Sequence, residues 1–146
     1  MRIMGLDIGD HRIGVAISDE LGIIAQGKDV IIRENDTVVF EQFEKLVNTY
    51  EIKEIVVGLP KQMNGKVGHQ ANKTLKFIDT MKLILNIPIK TWDERFTTKI
   101  AKNILKDVTS KKKKQKGTVD KLAAVLILQN YLDFRLRTLD LKYNKS

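Results

Sequence analysis

Two apolar runs, Arg2–Ile8 and the β-branched Arg12–Ser18, are separated only by Gly9-Asp10-His11, and the first carries a carboxylate, Asp7, among core-type residues. Runs of this length bounded by a Gly/Asp turn read as strands, and so short a connection makes them antiparallel. A third strand is expected over Ile23–Ile32, entered through Leu21-Gly22, which extends the pair into a meander. The rest of the chain must pack against a sheet that already holds a charge in an apolar strand.

Beyond residue 33 the apolar period changes. Val38, Val39, Phe43, Leu46 and Val47 recur at helical spacing, with Asn35 or Asp36 available as the cap. Ile55–Leu59 is a continuous apolar run of the kind buried on both faces of a parallel sheet, and Pro60 ends it. A second helix is expected near Gln70–Leu85, with Leu75, Phe77 and Ile78 facing inward, then a short strand at Pro88–Trp92. Thr97 caps a third helix with Ile100, Ala101, Ile104, Leu105 and Val108 on one stripe. A final helix is expected from Thr118 to about Arg137. Three meander strands followed by alternating helices and strands define an α/β fold with a five-stranded mixed sheet. One domain is expected over residues 1–138, with 139–146 a frayed tail.

Bulk properties narrow the chemistry. The 146 residues include no cysteine, which removes disulfides and thiolate metal sites and fits a reducing compartment. The start is no signal peptide, and the longest uncharged stretch, Leu122–Leu132, falls short of the roughly 20 residues a bilayer needs. A cytoplasmic location with no membrane span is the expectation. Lys and Arg number 26 against 18 Asp and Glu, a net charge of +8, which favours polyanionic partners such as nucleic acid.

Three carboxylates sit where packing alone would not put them. Asp7 shares a strand face with Ile3, Gly5 and Gly9, so the space around it is open. Burying it unpaired costs several kcal/mol. It either binds a cation or phosphate, or it bonds to the amides of the Gly9-Asp10 turn. Asp93 and Glu94 follow a sheet strand at its carboxyl end, where α/β sheets bind ligands, and only one of them can face such a site. An acidic pair preceding a helix also complements its dipole. Asp120 lies above Ala123, Ala124, Ile127, Tyr131 and Phe134 on the last helix, an apolar stripe whose alanines allow close approach to the sheet. As a plain first-turn acid it would serve equally well facing solvent. Three carboxylates directed at one corner repel one another unless a divalent cation lies between them. Oxygen ligands without Cys suit Mg²⁺ or Mn²⁺, and two such ions activate water and stabilise the leaving oxygen in phosphodiester hydrolysis. His11 and His69 are too scattered for a histidine site, and no G-x-S-x-G motif supports a serine nucleophile.

The segments GLDIGDHRIGVAISD, EIVVGLPKQMNGKVGHQANK, WDERFTTKIAKNIL and VDKLAAVLILQNYLD, in this order, resemble the RuvX/YqgF family of bacterial Holliday junction resolvases and 16S rRNA precursor nucleases. The likeness runs from Met1 to about Asp133. It implies an RNase H-like fold and a divalent-metal-dependent nuclease using Mg²⁺ or Mn²⁺. By position its acidic set, both catalytic and metal-binding, falls on Asp7, Glu94 and Asp120, choosing Glu94 over Asp93. Two departures leave that trio intact. Gly27 stands where proline is common, and the basic run holds lysine in place of arginine, which acts on phosphate as a point charge.

That run, Lys111, Lys112, Lys113, Lys114 and Lys116, directly precedes the helix bearing Asp120 and would draw a nucleic-acid backbone toward it. Arg12, Lys61 and Arg95 are further phosphate candidates, although Arg95 serves equally well to neutralise Asp93. The expected substrate is rRNA precursor, with branched DNA as the alternative. A non-catalytic RNA-binding assembly factor and a nucleotide-phosphate-binding ATPase half are the rivals from other classes. No dimer stripe is visible, so a monomer or weak homodimer is expected.

Overall fold

The computed structural model describes residues 1–60, 67–94 and 116–143. Among them lie strands β1 (Arg2–Ile8), β2 (Arg12–Ser18), β3 (Ala25–Ile32), β4 (Ile52–Leu59) and β5 (Ile89–Asp93), and helices α1 (Asp36–Tyr50), α2 (His69–Ile84) and α3 (Lys116–Tyr143). The strands form one mixed sheet in the order β3-β2-β1-β4-β5. β1 is antiparallel to β2 and β2 to β3, whereas β4 runs parallel to β1 and β5 parallel to β4. The meander and the two parallel strands are those expected from the sequence.

Several boundaries differ from expectation for local reasons. The third strand starts at Ala25 and not Ile23, because Asp19 Oδ1 accepts from the Ile23 and Ile24 amides at 2.8 and 3.3 Å and keeps that segment in a turn. The fourth begins at Ile52, where it meets Arg2, three residues before its continuous apolar run. Asn35 is the cap of α1, its side chain accepting from the Thr37 amide at 2.9 Å. Val38 fits the apolar period but is exposed; Val39, Phe40 and Phe43 are the buried face. In α2 the buried side chains are Ala71, Thr74, Phe77, Ile78 and Met81, with Leu75 only half-buried. The last helix is longer at both ends than the expected Thr118–Arg137. The helix expected from Thr97 lies outside the described residues.

Strand alternation sorts the core into two layers. Met4, Leu6, Ile13, Val15, Ile55 and Val57 face α1 and α2, where Phe40, Phe43 and Phe77 pack on one another. Ile3, Ala16 and Val56 face α3, meeting Ala124, Leu128, Tyr131 and Leu132. Asp7 follows the parity of Ile3 and so belongs to the α3 side of the sheet.

The α3 side is built for close approach. A Cβ on Gly5 would come within 2.6 Å of Leu128 Cβ, and one on Gly14 would collide with the Asp120 carbonyl. Polar ties secure the same helix. Gln129 Oε1 accepts from the Ala25 amide at 2.9 Å and Gln129 Nε2 donates to Ile23 O at 2.8 Å. Buried Glu54 on β4 accepts from the Tyr131 hydroxyl and lies 3.1 Å from Lys90 Nζ on β5. Among the described residues no helix is long and apolar enough to cross a membrane.

Candidate functional site

Parallel strands β1, β4 and β5 end on the same edge, and three carboxylates meet there. Asp7 is the penultimate residue of β1 and pairs in register with Gly14 of β2. On its other side, Asp7 and Gly58 each stand one residue past the Leu6–Val57 pair of β1 and β4. Both flanking positions therefore lack a side chain, and each is covered by another carboxylate residue. The α3 backbone at Asp120 lies on Gly14, whose added Cβ would be 2.7 Å from the Asp120 carbonyl carbon. The Glu94 carboxyl carbon lies 3.3 Å from where a Gly58 Cβ would be. Ala124, one turn on from Asp120, closes the floor at 3.4 Å from the same Gly14 position.

The choice between Asp93 and Glu94 follows from strand parity. Gly58 pairs with Trp92, and Trp92 packs in the α3 layer beside Tyr131 and Phe134. Asp93, the last residue of β5, alternates to the other face, while Glu94, just beyond the strand, brings its carboxyl carbon beside Gly58 on the side of Trp92. Phe134, expected on the buried stripe, is half-exposed at the rim of this aromatic group.

The electrostatics record the crowding. Burial, and then the nearby charge of Asp120, pushes the Asp7 carboxyl up to about 6. Burial, followed by Asp7 and Asp93, pushes Glu94 up to about 7. Carboxyls raised by both desolvation and like charge are the pattern expected of groups that await a cation. Asp120 adds a buried Oδ2 that receives no hydrogen bond, although Arg12 Nε approaches it to 3.0 Å. The donor set is all oxygen, the floor is bare glycine, and one buried oxygen lacks a donor; a hard divalent cation fits such a place. Among the described residues no three acidic or imidazole side chains are placed closely enough to hold one metal ion together. The three carboxylates share the corner without converging on a point.

Of the sequence candidates, Asp7, Glu94 and Asp120 are brought together, and Arg12 is added through its ion pair with Asp120. The backbone of α3 begins at Lys116. Lys61, Arg95, Lys111, Lys112, Lys113 and Lys114 lie outside the described residues. The glycines Gly14 and Gly58 were missed as site residues. Their signal was present: a glycine inside an apolar strand marks a close approach.

The architecture is that of the RNase H-like class. A Thermus thermophilus RuvC in complex with a Holliday junction superposes with a TM-score of 0.60 over 93% of this chain and 96% of that one, at 12% identity. A fowlpox virus resolvase gives 0.53 over 93% and 99%, at 15% identity. A family model described as "RuvX: Holliday junction resolvase" matches residues 1–134. Proteins of Halothermothrix orenii and Thermoanaerobacter pseudethanolicus, each described as "Putative pre-16S rRNA nuclease", are 50% and 52% identical. Those matches cover 92% and 91% of this chain and 96% of each relative. The chain belongs to the RuvX family, and with it to the phosphodiester-hydrolysing enzymes.

Proposed function

We propose that this chain is a divalent-metal-dependent endonuclease that trims the 5′ end of 16S rRNA precursor in the cytoplasm, where bacterial precursor rRNA is made. The observation that supports it is the meeting of Asp7, Glu94 and Asp120 over the bare positions of Gly14 and Gly58 at one sheet edge. These three are the catalytic and metal-binding residues of the proposal. Their side chains would hold Mg²⁺ or Mn²⁺, two ions in all. Bound there, the ions would supply an activated water and neutralise charge on the leaving oxygen. Asp7, fixed in β1, is the rigid member of the set. Glu94 and Asp120 enter from beyond β5 and from α3, so the site is complete only when sheet and helix are docked.

The relatives' descriptions favour RNA; the family's own description keeps branched DNA as a second reading. Both are tested with one preparation, using a precursor RNA fragment that spans the 16S 5′ end and a four-way DNA junction. Cleavage of the RNA is expected to stop on chelation and to return with Mg²⁺ or Mn²⁺. Glu94→Gln is expected to lower the rate on the order of 100-fold. Preferential cutting of the junction would reverse the substrate, and undiminished cutting by Glu94→Gln would remove it from the site. RNA binding without cleavage under any metal would leave an assembly factor.

Lys111–Lys114, Lys116, Arg12 and Arg95 form the proposed phosphate-contacting set. Changing Lys111–Lys114 to Ala is expected to weaken RNA binding and to reduce the slope of log affinity against log salt by up to about three. Binding titrations at several salt concentrations read this directly. An unchanged slope would take the run out of the interface.

A further inference from the structure

Arg12 opens β2, and its Nε lies 3.0 Å from Asp120 Oδ2. That oxygen is buried, and the arginine faces it as a charge, since no hydrogen bond is formed. The backbones on both sides are fixed. The Gly9 amide donates to the Arg12 carbonyl at 2.9 Å, and α3 at Asp120 lies directly on Gly14. What can change is the Arg12 side chain, which is 36% exposed. A guanidinium recognises carboxylate and phosphate oxygens alike. It cannot stay at Oδ2 while a divalent cation uses the same oxygen, because the two positive charges would lie within a few ångströms.

We propose that Arg12 is a positioning residue with two stations. It occupies the cation's place at Asp120 in the unloaded protein and passes to a substrate phosphate when the cation arrives. This rests on the metal-site reading above. Cation and nucleic acid then assist each other through one side chain, since the phosphate draws the guanidinium off the oxygen the cation requires and the cation releases the guanidinium to the phosphate. Coupling of this kind is reciprocal: the nucleic acid tightens cation binding by the factor by which the cation tightens nucleic-acid binding.

The test is Mn²⁺ titration of the full chain by calorimetry, with and without a phosphorothioate RNA oligonucleotide that resists cleavage. Arg12→Gln is expected to bind Mn²⁺ about five- to tenfold tighter than wild type when no RNA is present. The oligonucleotide is expected to tighten Mn²⁺ in Arg12→Gln less than in wild type, the difference being about the same five- to tenfold factor. Lys73→Gln removes a positive charge from the neighbouring Asp10 pair. It should behave as wild type, which separates direct competition from the general field. Equal or weaker Mn²⁺ binding by Arg12→Gln, or an oligonucleotide effect as large in it as in wild type, overturns the role of Arg12. Asp7→Asn reports on the underlying reading. If it binds Mn²⁺ as wild type does, or if wild type binds none, the metal site itself is wrong and Arg12's role falls with it.

Discussion

Replacing Asp7 by Asn is expected to stop cleavage and, in the same protein, to make the metal-free fold more stable. The amide keeps the shape of the side chain and removes its charge, so cation binding at the sheet edge loses its rigid member. A loss on the order of 100- to 1000-fold in rate is expected. The stability gain follows from the environment of the carboxylate. Burial and the neighbouring Asp120 raise Asp7 from 3.8 to about 6. The folded protein thus holds its proton to higher pH than the unfolded chain does. Below about pH 4 both states are protonated and the carboxyl costs the fold nothing. Between about 4 and 6 the unfolded chain ionises first and the fold loses stability. Above about 6 the loss is complete, on the order of 3 kcal/mol. Glu94, raised to about 7, extends the same decline. Urea unfolding with a chelator present should therefore show Asp7→Asn ahead of wild type at about pH 8, with the gap closing at about pH 4. An Asp7→Asn protein less stable than wild type at about pH 8 would mean that Asp7 is held by structural hydrogen bonds. The turn-aspartate explanation would then be correct.

The legibility of this chain follows the range of the forces involved. The meander was readable because β1 and β2 are short, continuously apolar runs joined by a three-residue turn, and both boundaries fall as expected. Boundaries shifted where a side chain competed with the backbone pattern, as Asp19 does ahead of β3. Val38 misled because the helical period identifies a stripe but not which edge of it turns to solvent. The carboxylates were legible as misfits, each being a charge in apolar company. Their direction toward one sheet corner was inferred from the same misfits, whereas how closely α3 lies on the sheet was not readable. The pattern left Asp93 and Glu94 open, and the resemblance to RuvX chose Glu94. Glu54 shows what pattern reading passes over. It lies at the start of an apolar strand and looks like an exposed polar residue, yet it is buried, and its partner Tyr131 is 77 residues away. A contact of that separation leaves no local trace in a single sequence. The glycine floor had a trace, but mid-strand glycine reads equally as a bulge until a helix is known to lie on it.

That floor gives the second large effect. Gly14→Ala is expected to destabilise the protein by about 3 kcal/mol or more and to abolish cleavage with it. The new methyl would collide with the Asp120 carbonyl oxygen and sit 2.7 Å from its carbon, both backbone atoms of a long helix. No rotamer change relieves that, so α3 must lift from β2 and carry Asp120 away from Asp7. Gly58→Ala meets a softer obstacle. Its methyl would strike Ile127 Cδ1, the far end of a side chain that can turn aside, before reaching the Glu94 carboxyl carbon at 3.3 Å. It should cost less stability than Gly14→Ala while still disturbing Glu94. At Gly27 on edge strand β3, the nearest atom to an added methyl is Lys121 Cβ at 3.3 Å, and Gly27→Ala should stay within about 0.5 kcal/mol of wild type. Urea midpoints of the three variants, measured in a chelator, test the order Gly14, Gly58, Gly27. A Gly14→Ala protein as stable as wild type would mean that α3 does not rest on β2 at this point. Asp120 would then not stand over the strand ends, and the corner would be left with two carboxylates and no third element to close it.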